Sequence, residues 1–305
     1  MIRNPIPWPN GAKCAVAFTF DVDADSTAHI NWLDQVDDHV ASVSLMRYGP
    51  EIGVPRLIDM FDAAAVPLTF FVPGWVAENY PETMRMMVES GAEIGHHGYL
   101  HDDPNKQTPE AERETMVRGI EILESFTGKK PVGYRSPTHA NSRHTLDLLV
   151  EHGFLYESSL LGDDIPYEMD NGKGRVVEIP CAHGLDDWPN YMVWRDFNYF
   201  MSPKAPSDAY RLYKDEFDAA YRYGGMWMSV WHPLVSGRLA RAHWIGELVE
   251  YMKGHEGVWF CTLEEMAAHV RALQASGEWT PRIDRQPWYK MPHPAIRDRL
   301  PKVAE

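Results

Sequence analysis

Two hydrophobic patterns alternate along this chain. Short apolar runs rich in β-branched and aromatic residues are followed by longer stretches in which apolar residues recur every three or four positions. The first pattern is typical of buried strands and the second of amphipathic helices. The predicted strands span residues 14–20, 67–72, 92–95, 132–134, 154–157, 176–179, 226–231 and 258–261. The predicted helices span residues 55–65, 81–89, 109–126, 142–152, 207–221, 241–253 and 263–272, and several open with Ser, Thr or Pro.

Alternating strands and helices favour parallel strands joined by crossover helices. Eight candidate strands suggest an α/β barrel, and 305 residues with 44% hydrophobic content suffice for one barrel-sized domain. The sequence contains no internal repeat and no Gly/Ser linker, so we predict a single domain over residues 1–305. Residues 278–305 are rich in Pro, Trp and Arg, and we expect this tail to wrap the body or a neighbouring subunit.

Charge and terminal sequence narrow the range of partners and locations. The 29 basic residues against 44 acidic ones give a formal charge of -15, which argues against binding to nucleic acid or to anionic membrane surfaces. The amino-terminal segment lacks the apolar region of a secretory signal, and no apolar run is long enough to cross a bilayer. We therefore expect a soluble cytoplasmic protein. Its three widely spaced cysteines, Cys14, Cys181 and Cys261, suit reduced core thiols.

Polar side chains follow several predicted strands, at the point where each strand ends. These residues are Asp21 and Asp23, His97 and His101, Arg135, and His232. The carboxyl ends of parallel barrel strands share one rim, where barrel enzymes carry out their chemistry. We therefore expect these side chains to meet in one cup although they are far apart in the sequence.

Two histidines and one aspartate form a candidate metal site. His97 and His101 are four residues apart, which places both imidazoles on one face if they lie in a helical turn. The pair alone is weak evidence for a metal site, because chance pairs at this spacing are common in a chain with 14 histidines. With Asp23 as a third ligand, the set leaves positions open for water and substrate, as in catalytic Zn sites and also in Fe or Co sites. We predict one divalent metal, with zinc as the default.

Neighbouring residues offer acid and base chemistry. A metal ion can lower the pKa of its water to roughly 7, so that a carboxylate can take the proton, and Asp21 is the candidate base. Attack on an amide or imide carbonyl develops an oxyanion, which the metal and backbone N–H groups near Thr138 could stabilise. His232 is the candidate acid, because an amide nitrogen leaves poorly unless it is protonated.

Each of these residues also has a structural interpretation. Asp21 could be a turn or helix-cap residue, Arg135 could close a surface ion pair, and His232 could be a loop histidine bonded to the backbone. A non-catalytic binding module that contains a metal is a further alternative. It is disfavoured because structural zinc usually closes its fourth position with protein ligands.

The ordered motifs resemble those of the polysaccharide deacetylase (NodB-like) superfamily. They are Thr19-Phe20-Asp21-Val22-Asp23, His97-x-x-x-His101, Arg135-Ser136-Pro137, Asp187-Trp188 and Trp231-His232-Pro233, and the similarity spans roughly residues 14–265. The resemblance implies an irregular (β/α) barrel with one divalent metal that hydrolyses an amide with a metal-held water. It also implies that Arg135 pairs with Asp21, that Asp187 supports protonated His232, and that Trp188 forms part of the pocket wall.

Departures from the common motifs bear on the substrate. Val22 separates the two aspartates, Gly98 stands where Ser or Thr usually follows the first histidine, and the segment after Arg135 lacks the aromatic-Gly ending of the sugar deacetylases. These features resemble the intracellular branch of the superfamily, which includes allantoinase-like enzymes, cyclic imide hydrolases and peptidoglycan deacetylase homologues.

Two long segments beside the predicted site favour a small substrate. Residues 31–50 form an insertion, and residues 188–200 are too aromatic for a solvated loop, so they should line the pocket, cover it as a lid or form a subunit interface. Both would narrow the approach of a long polymer. We therefore predict a hydrolase of a small cyclic amide or imide, with de-N-acetylation of an N-acetylated sugar or peptidoglycan-type saccharide as the alternative. The aromatic segment and the tail also motivate a prediction of a homo-oligomer.

Overall fold

One curled sheet forms the centre of the molecule. The computed structural model describes residues 1–288, and within them ten strands share this sheet. Their bounds are β1 Cys14–Asp21, β2 Leu68–Val72, β3 Glu93–His96, β4 Gly133–Tyr134, β5 Tyr156–Glu157, β6 Tyr167–Asp170, β7 Arg175–Glu178, β8 Met226–Met228, β9 Val258–Phe260 and β10 Ile283–Arg285. The strand order is β10-β6-β7-β5-β4-β3-β2-β1-β8, and β9 pairs with the first half of β1 on the edge opposite β8. Only β6 and β7 pair antiparallel among these strands.

Helices cover the outside of the sheet and supply the crossovers between its parallel strands. Within residues 1–288 they are α1 Ser26–Trp32, α2 Val40–Tyr48, α3 Val54–Ala64, α4 Gly74–Asn79, α5 Pro81–Glu89, α6 Pro109–Thr127, α7 Thr145–His152, α8 Trp188–Tyr191, α9 Pro206–Tyr223, α10 Pro233–Ser236, α11 Leu239–Lys253 and α12 Leu263–Ser276. This arrangement confirms the predicted α/β fold, which is a curled, mostly parallel half-barrel.

Local sequence signals explain where the long helices begin and end. The Thr108 side chain accepts a hydrogen bond from the Ala111 N–H at the start of α6, and Gly128 ends that helix with a φ of 73°. Helix α12 begins with a capping box between Thr262 and Glu265. Such signals are readable in the sequence, so the helices they bound were predictable.

Strand β1 runs through the middle of the fold. All eight of its residues are buried, because strands and helices cover both of its faces. Phe18 packs against Trp227 and Phe61 with ring centroids 5.1 and 4.9 Å apart. This aromatic core fixes the position at which β1 ends, and therefore the position of the acids that follow it.

The predicted insertion and the aromatic segment pack against each other. The Trp32 ring stacks on Phe197 with centroids 5.6 Å apart, and the Trp194 indole N–H donates to Ser42 Oγ at 2.8 Å. The prediction left the role of the aromatic segment open, and the structure places three of its rings, Trp188, Phe197 and Tyr199, on a cavity wall.

The carboxyl-terminal segment returns to the amino-terminal end of the chain. Trp279 is buried and its indole N–H donates to the Asn4 carbonyl oxygen at 3.2 Å, while β10 pairs with β6. The remainder of the predicted tail, residues 289–305, lies outside the described residues. The three cysteines are buried and free. None of the helices between residues 1 and 288 has the length and apolar character needed to cross a membrane.

Candidate active site

The sheet brings the predicted polar residues to one rim. Asp21 is the last residue of β1 and Asp23 lies two positions beyond it, His97 directly follows β3, and Arg135 directly follows β4. His232 stands immediately before α10. Each position is at the carboxyl end of a parallel strand or of its extension, where barrel folds carry their chemistry.

Asp23, His97 and His101 offer three ligand atoms that all lie within 4.8 Å of one another. The Nε2 atom of His97 is 3.3 Å from Asp23 Oδ1, and that of His101 is 3.5 Å from Asp23 Oδ2. Asp23 Oδ1 is buried and has no hydrogen-bond partner among the described residues. A buried carboxylate oxygen without a hydrogen-bond partner is costly, so this oxygen suits a cation ligand.

The tautomer of His97 also fits a metal ligand. Its Nδ1 atom is 2.8 Å from the Arg135 carbonyl oxygen, which can only accept, so Nδ1 carries the hydrogen. When a metal ion is bound, the Nε2 lone pair of His97 would be directed toward it, as second-sphere hydrogen bonds orient ligating histidines. Burial lowers the pKa of His101 and so favours its neutral form. The donor set fits a divalent cation such as Zn, Fe or Co.

The helical turn that would place His97 and His101 on one face does not form. The chain forms an irregular loop there, in which Gly98 has a φ of 72° and His101 a φ of 58°. A Cβ atom at Gly98 would also lie 3.0 Å from Pro137 Cγ, so a side chain has little room. The two rings still meet, with centroids 5.1 Å apart, because the loop folds back on itself.

Arg135 is fully buried and holds Asp21. Its guanidinium donates to Asp21 Oδ1 at 2.8 Å and to Thr19 Oγ1 at 2.7 Å, and its Nε–H donates to the Ser158 carbonyl oxygen at 2.8 Å. Burial alone would raise the pKa of Asp21, but the charges of Arg135, His97 and His232 together outweigh it and lower that pKa below its ordinary value. The alternatives of a surface ion pair for Arg135 and a cap for Asp21 do not match these contacts.

Asp187 fixes His232. Its Oδ1 lies 2.7 Å from His232 Nδ1, and its Oδ2 accepts from the His232 backbone N–H at 2.9 Å and from Ser236 Oγ at 2.5 Å. Burial raises the pKa of Asp187, and burial opposes but does not prevent a rise in the pKa of His232 to about 10 beside the Asp187 carboxylate. His232 Nε2 faces Asp23 Oδ2 at 3.6 Å. The Nδ1 atom of the His232 ring therefore bonds to a carboxylate and not to the backbone, unlike in the loop-histidine alternative.

A cavity of about 820 Å³ opens above these residues. Trp188 and Thr138, which were predicted to contact substrate, both line it, and the Trp188 ring lies 5.3 Å from the His232 ring. The cavity also exposes His139 and Asp186, which the sequence did not single out as site residues. Asp186 precedes the Asp187-Trp188 motif and could have been considered with it. His139 carried no comparable signal.

Comparison with known proteins identifies the family. The profile of the polysaccharide deacetylase family matches residues 45–156. The peptidoglycan deacetylase of Helicobacter pylori is 31% identical over 281 residues, which cover 83% of this chain and 95% of that protein. A crystal structure from Mycobacterium smegmatis described as a polysaccharide deacetylase is 40% identical, with a TM-score of 0.87 over 96% of this chain and 99% of the other. The structure of Puue allantoinase is 29% identical, with a TM-score of 0.78 over 88% and 95% of the two chains.

The chain therefore belongs to the polysaccharide deacetylase family, as its motifs predicted, and is a hydrolase of that superfamily.

Proposed function

We propose that this protein is a metal-dependent hydrolase that opens a small cyclic amide or imide. The observation that carries the proposal is the cavity above the rim, whose volume of about 820 Å³ falls within the usual range for small-molecule sites. Its aromatic wall, with Trp188, Phe197 and Tyr199, offers ring faces on which a small ring substrate can pack. The 29% identity to an allantoinase adds support.

Two segments that are joined to each other border the cavity. Asp196 accepts a hydrogen bond from Ser42 Oγ at 2.6 Å and lies 3.2 Å from His39 Nδ1. These contacts connect α2 and the turn before it to the aromatic segment above the rim. We infer that this connection limits the approach of a long polymer to Asp23 more than the approach of a small ring.

The residues at the rim can supply the metal ligands, the base and the acid that hydrolysis requires. Asp23, His97 and His101 would hold the cation, which when bound supplies a Lewis acid that polarises a carbonyl and acidifies water. Asp21, kept ionised by Arg135, would take a proton from the attacking water through Oδ2, which the guanidinium leaves free. His232 would donate its Nε2 proton to the departing nitrogen as the C–N bond breaks. The ring gains one water and loses no fragment.

De-N-acetylation is the second candidate. The 31% identity to a peptidoglycan deacetylase over most of both chains favours it, and the same acid and base would serve an acetamide. The two reactions differ in their products, because deacetylation releases acetate whereas ring opening releases no small molecule. A non-catalytic binding module is disfavoured, since the three candidate ligands face an accessible cavity beside a base and an acid.

Turnover of metal-loaded protein on a substrate panel tests the proposal. The panel contains N-acetylated sugars, allantoin, hydantoins and simple cyclic imides, with products identified by mass. We expect ring-opened products heavier by one water, and loss of this activity in Asp21→Asn. Acetate release that depends on Asp21, without any ring opening, would establish the deacetylase instead. Retention of a substrate without turnover, unchanged in Asp21→Asn, would support the binding module.

A further inference from the structure

A second polar pair, His139 and Asp186, lies on the cavity wall next to His232. Asp186 Oδ2 is 3.8 Å from His139 Nε2, which is too far for a hydrogen bond, so each atom can bind a ligand. The other polar atom of each side chain is already engaged. His139 Nδ1 lies 3.2 Å from the Ser159 carbonyl oxygen, and Asp186 Oδ1 accepts from the Trp188 N–H at 2.8 Å.

The protonation of His139 follows from its neighbours. A carbonyl oxygen can only accept, so the Nδ1 atom of His139 carries a hydrogen. Burial would lower the pKa of His139, but the neighbouring Asp186 carboxylate and Cys181 thiol together outweigh it and raise the pKa to about 11. The imidazolium then presents a second N–H at Nε2. The wall thus carries one donor and one acceptor side by side, on His139 and Asp186.

The backbone around His139 is held in an unusual conformation. Thr138 and His139 are consecutive residues with φ angles of 56° and 57°, a region that side chains other than glycine rarely adopt. Such strain persists where surrounding contacts enforce it, and it concentrates at functional sites. Here the His139 N–H donates to the Ser136 carbonyl oxygen at 3.1 Å, which helps to keep the imidazole at the cavity wall.

The pair also lies where a leaving nitrogen would be. A carboxylate oxygen of Asp186 and a ring nitrogen of His232 lie within 4.8 Å of each other, and His232 Nε2 faces Asp23 at 3.6 Å. A ring whose carbonyl carbon is attacked beside Asp23 would therefore place its nitrogen near His232, with its next atoms toward His139 and Asp186.

We propose that His139 and Asp186 recognise the cis-amide edge of a ring substrate, an inference that rests on the function proposed above. His139 Nε2–H donates to the carbonyl oxygen that is not attacked, and Asp186 Oδ2 accepts from the ring N–H. In a small ring the C=O and N–H of an amide point to the same side. In an open-chain secondary amide, such as an N-acetyl group, the trans peptide geometry points them to opposite sides. A donor and an acceptor adjacent on one wall therefore select cyclic imides and related rings that keep a second carbonyl beside the ring N–H.

A substrate methylated at its ring nitrogen tests whether Asp186 Oδ2 accepts a hydrogen bond from the ring N–H. We would measure kcat/KM for succinimide and for N-methylsuccinimide, which keeps both carbonyls and lacks the N–H. A hydrogen bond to a charged group changes rates by about 10-fold or more, so we expect the wild-type protein to prefer succinimide by at least about that factor. Asp186→Asn keeps Oδ1 for the Trp188 N–H and should bring the ratio close to one. An unchanged ratio in Asp186→Asn would overturn the proposal.

A variant of His139 tests separately whether its Nε2–H donates to the second carbonyl of the substrate. Asparagine tolerates a positive φ, so His139→Asn keeps the local backbone while it withdraws the N–H. We expect kcat/KM to fall about 10-fold for succinimide and for N-methylsuccinimide alike, because both retain the second carbonyl. His183→Asn is the matched control, since its ring lies on the same wall with its centroid 6.4 Å from that of His139. Equal rates for His139→Asn and the control would contradict the assignment, whether or not Asp186→Asn folds.

Binding separates this inference from the proposed function. If the wild-type protein opens no cyclic amide or imide, the proposed function fails. Calorimetric titration of metal-loaded protein with succinimide then tests the pair alone. Binding that is about 10-fold weaker in Asp186→Asn would support the recognition site, while equal affinity or no binding to the wild-type protein would overturn it.

Discussion

Asp187 shapes the chemistry of the site without facing the cavity. It is fully buried, and its carboxylate accepts three hydrogen bonds from His232 and Ser236. The bond to Nδ1 fixes the orientation of the His232 ring and leaves Nε2 directed toward Asp23. The negative charge also keeps a proton on the ring. Asp187 thus determines both the orientation and the protonation of the His232 ring, which is the proposed acid.

Replacing Asp187 by Asn should impair the acid and move its pH dependence. The pKa of His232 is raised to about 10, so the ring holds its proton below that pH and loses it as pH rises further. Loss of the Asp187 charge lowers this pKa, so the alkaline limb of kcat should move to lower pH. We expect kcat to fall by about 10²-fold, the lower end of the contribution of acid catalysis. A pH–rate profile of the metal-loaded protein measures both effects.

Ser236→Ala is the matched control for that experiment. It removes one hydrogen bond to Asp187 Oδ2 and leaves the charge in place. Its alkaline limb should therefore stay close to that of the wild-type protein. If the limb of Asp187→Asn also stays where it is, another group is the acid.

The grouping of residues at the rim was predictable, whereas several of their partners were not. Asp21, Asp23 and His232 stand at strand ends, and the rule that parallel strand ends share a rim brings them together. Ser236 and His139 reach the site through a short helix and through a left-handed turn. Neither feature leaves a clear signal in the sequence, because both depend on packing between distant segments.

At the scale of elements, a wide helical turn supports His232. Helices α2 and α3 are joined by a π-helical turn, Gly49–Gly53, which packs on α10. A Cβ atom added at Gly53 would overlap the carbonyl oxygen of Pro233, and the Arg56 guanidinium donates to the Gly237 carbonyl oxygen at 2.6 Å. Helix α10 is thus held at Pro233 by the α2–α3 connection and at Gly237 by Arg56 in the first turn of α3. Single π-helical turns of this kind are frequent at functional sites.

Gly53→Ala should therefore reduce catalysis from outside the cavity. The new methyl group must push Pro233 away and displace His232 with it. A misplacement of about 1 Å can cost about 10²-fold in rate, so we expect kcat to fall by about 10- to 100-fold, with little change in metal affinity. Steady-state kinetics and a metal titration would measure the two quantities.

Gly246→Ala supplies the comparison for this variant. Gly246 lies in α11, and an added Cβ would meet only Met60 Sδ at 3.7 Å, an ordinary contact. Alanine favours the helix by about 1 kcal/mol at most, so this variant should be as stable as the wild-type protein or slightly more stable, with kcat unchanged. Equal kcat values for the two alanine variants would refute a positioning role for Gly53.

Periodic elements were predictable, and elements with polar residues or with low helix propensity were not. The eight predicted strands correspond to β1–β5 and β7–β9, and the seven predicted helices to α3, α5, α6, α7, α9, α11 and α12. Strand β6 was missed because it carries Glu168, whose buried carboxylate pairs with Arg175 and Arg271. Helix α2 was missed because its first half is rich in Val and Ser, which have low helix propensity.

At the scale of the whole molecule, the candidate metal site connects distant parts of the chain. Asp23 follows β1, while His97 and His101 follow β3, so a cation bound to all three joins segments that separate on unfolding. Binding of this kind stabilises the folded state, because the assembled site does not exist in the unfolded chain. The unpartnered oxygen of Asp23 should make the metal-free protein measurably less stable.

Metal addition should therefore raise the melting temperature through Asp23 and not through Asp21. At a free metal concentration of about 100 times Kd, the stabilisation is about 2.7 kcal/mol, which corresponds to an increase of several degrees. Differential scanning calorimetry of chelator-treated protein, with and without Zn, Fe or Co, measures this shift.

The Asp23→Asn variant should lose most of the metal-induced shift in melting temperature because a candidate ligand is weakened. Asp21→Asn makes the same change of charge two residues earlier and should retain it, although its metal-free melting temperature will be lower because Arg135 loses its partner. The comparison rests on the shift within each variant, so this lower baseline does not obscure it. Equal shifts in both variants would mean that Asp23 is not a ligand, and no shift with any metal in the wild-type protein would remove the proposed metal site.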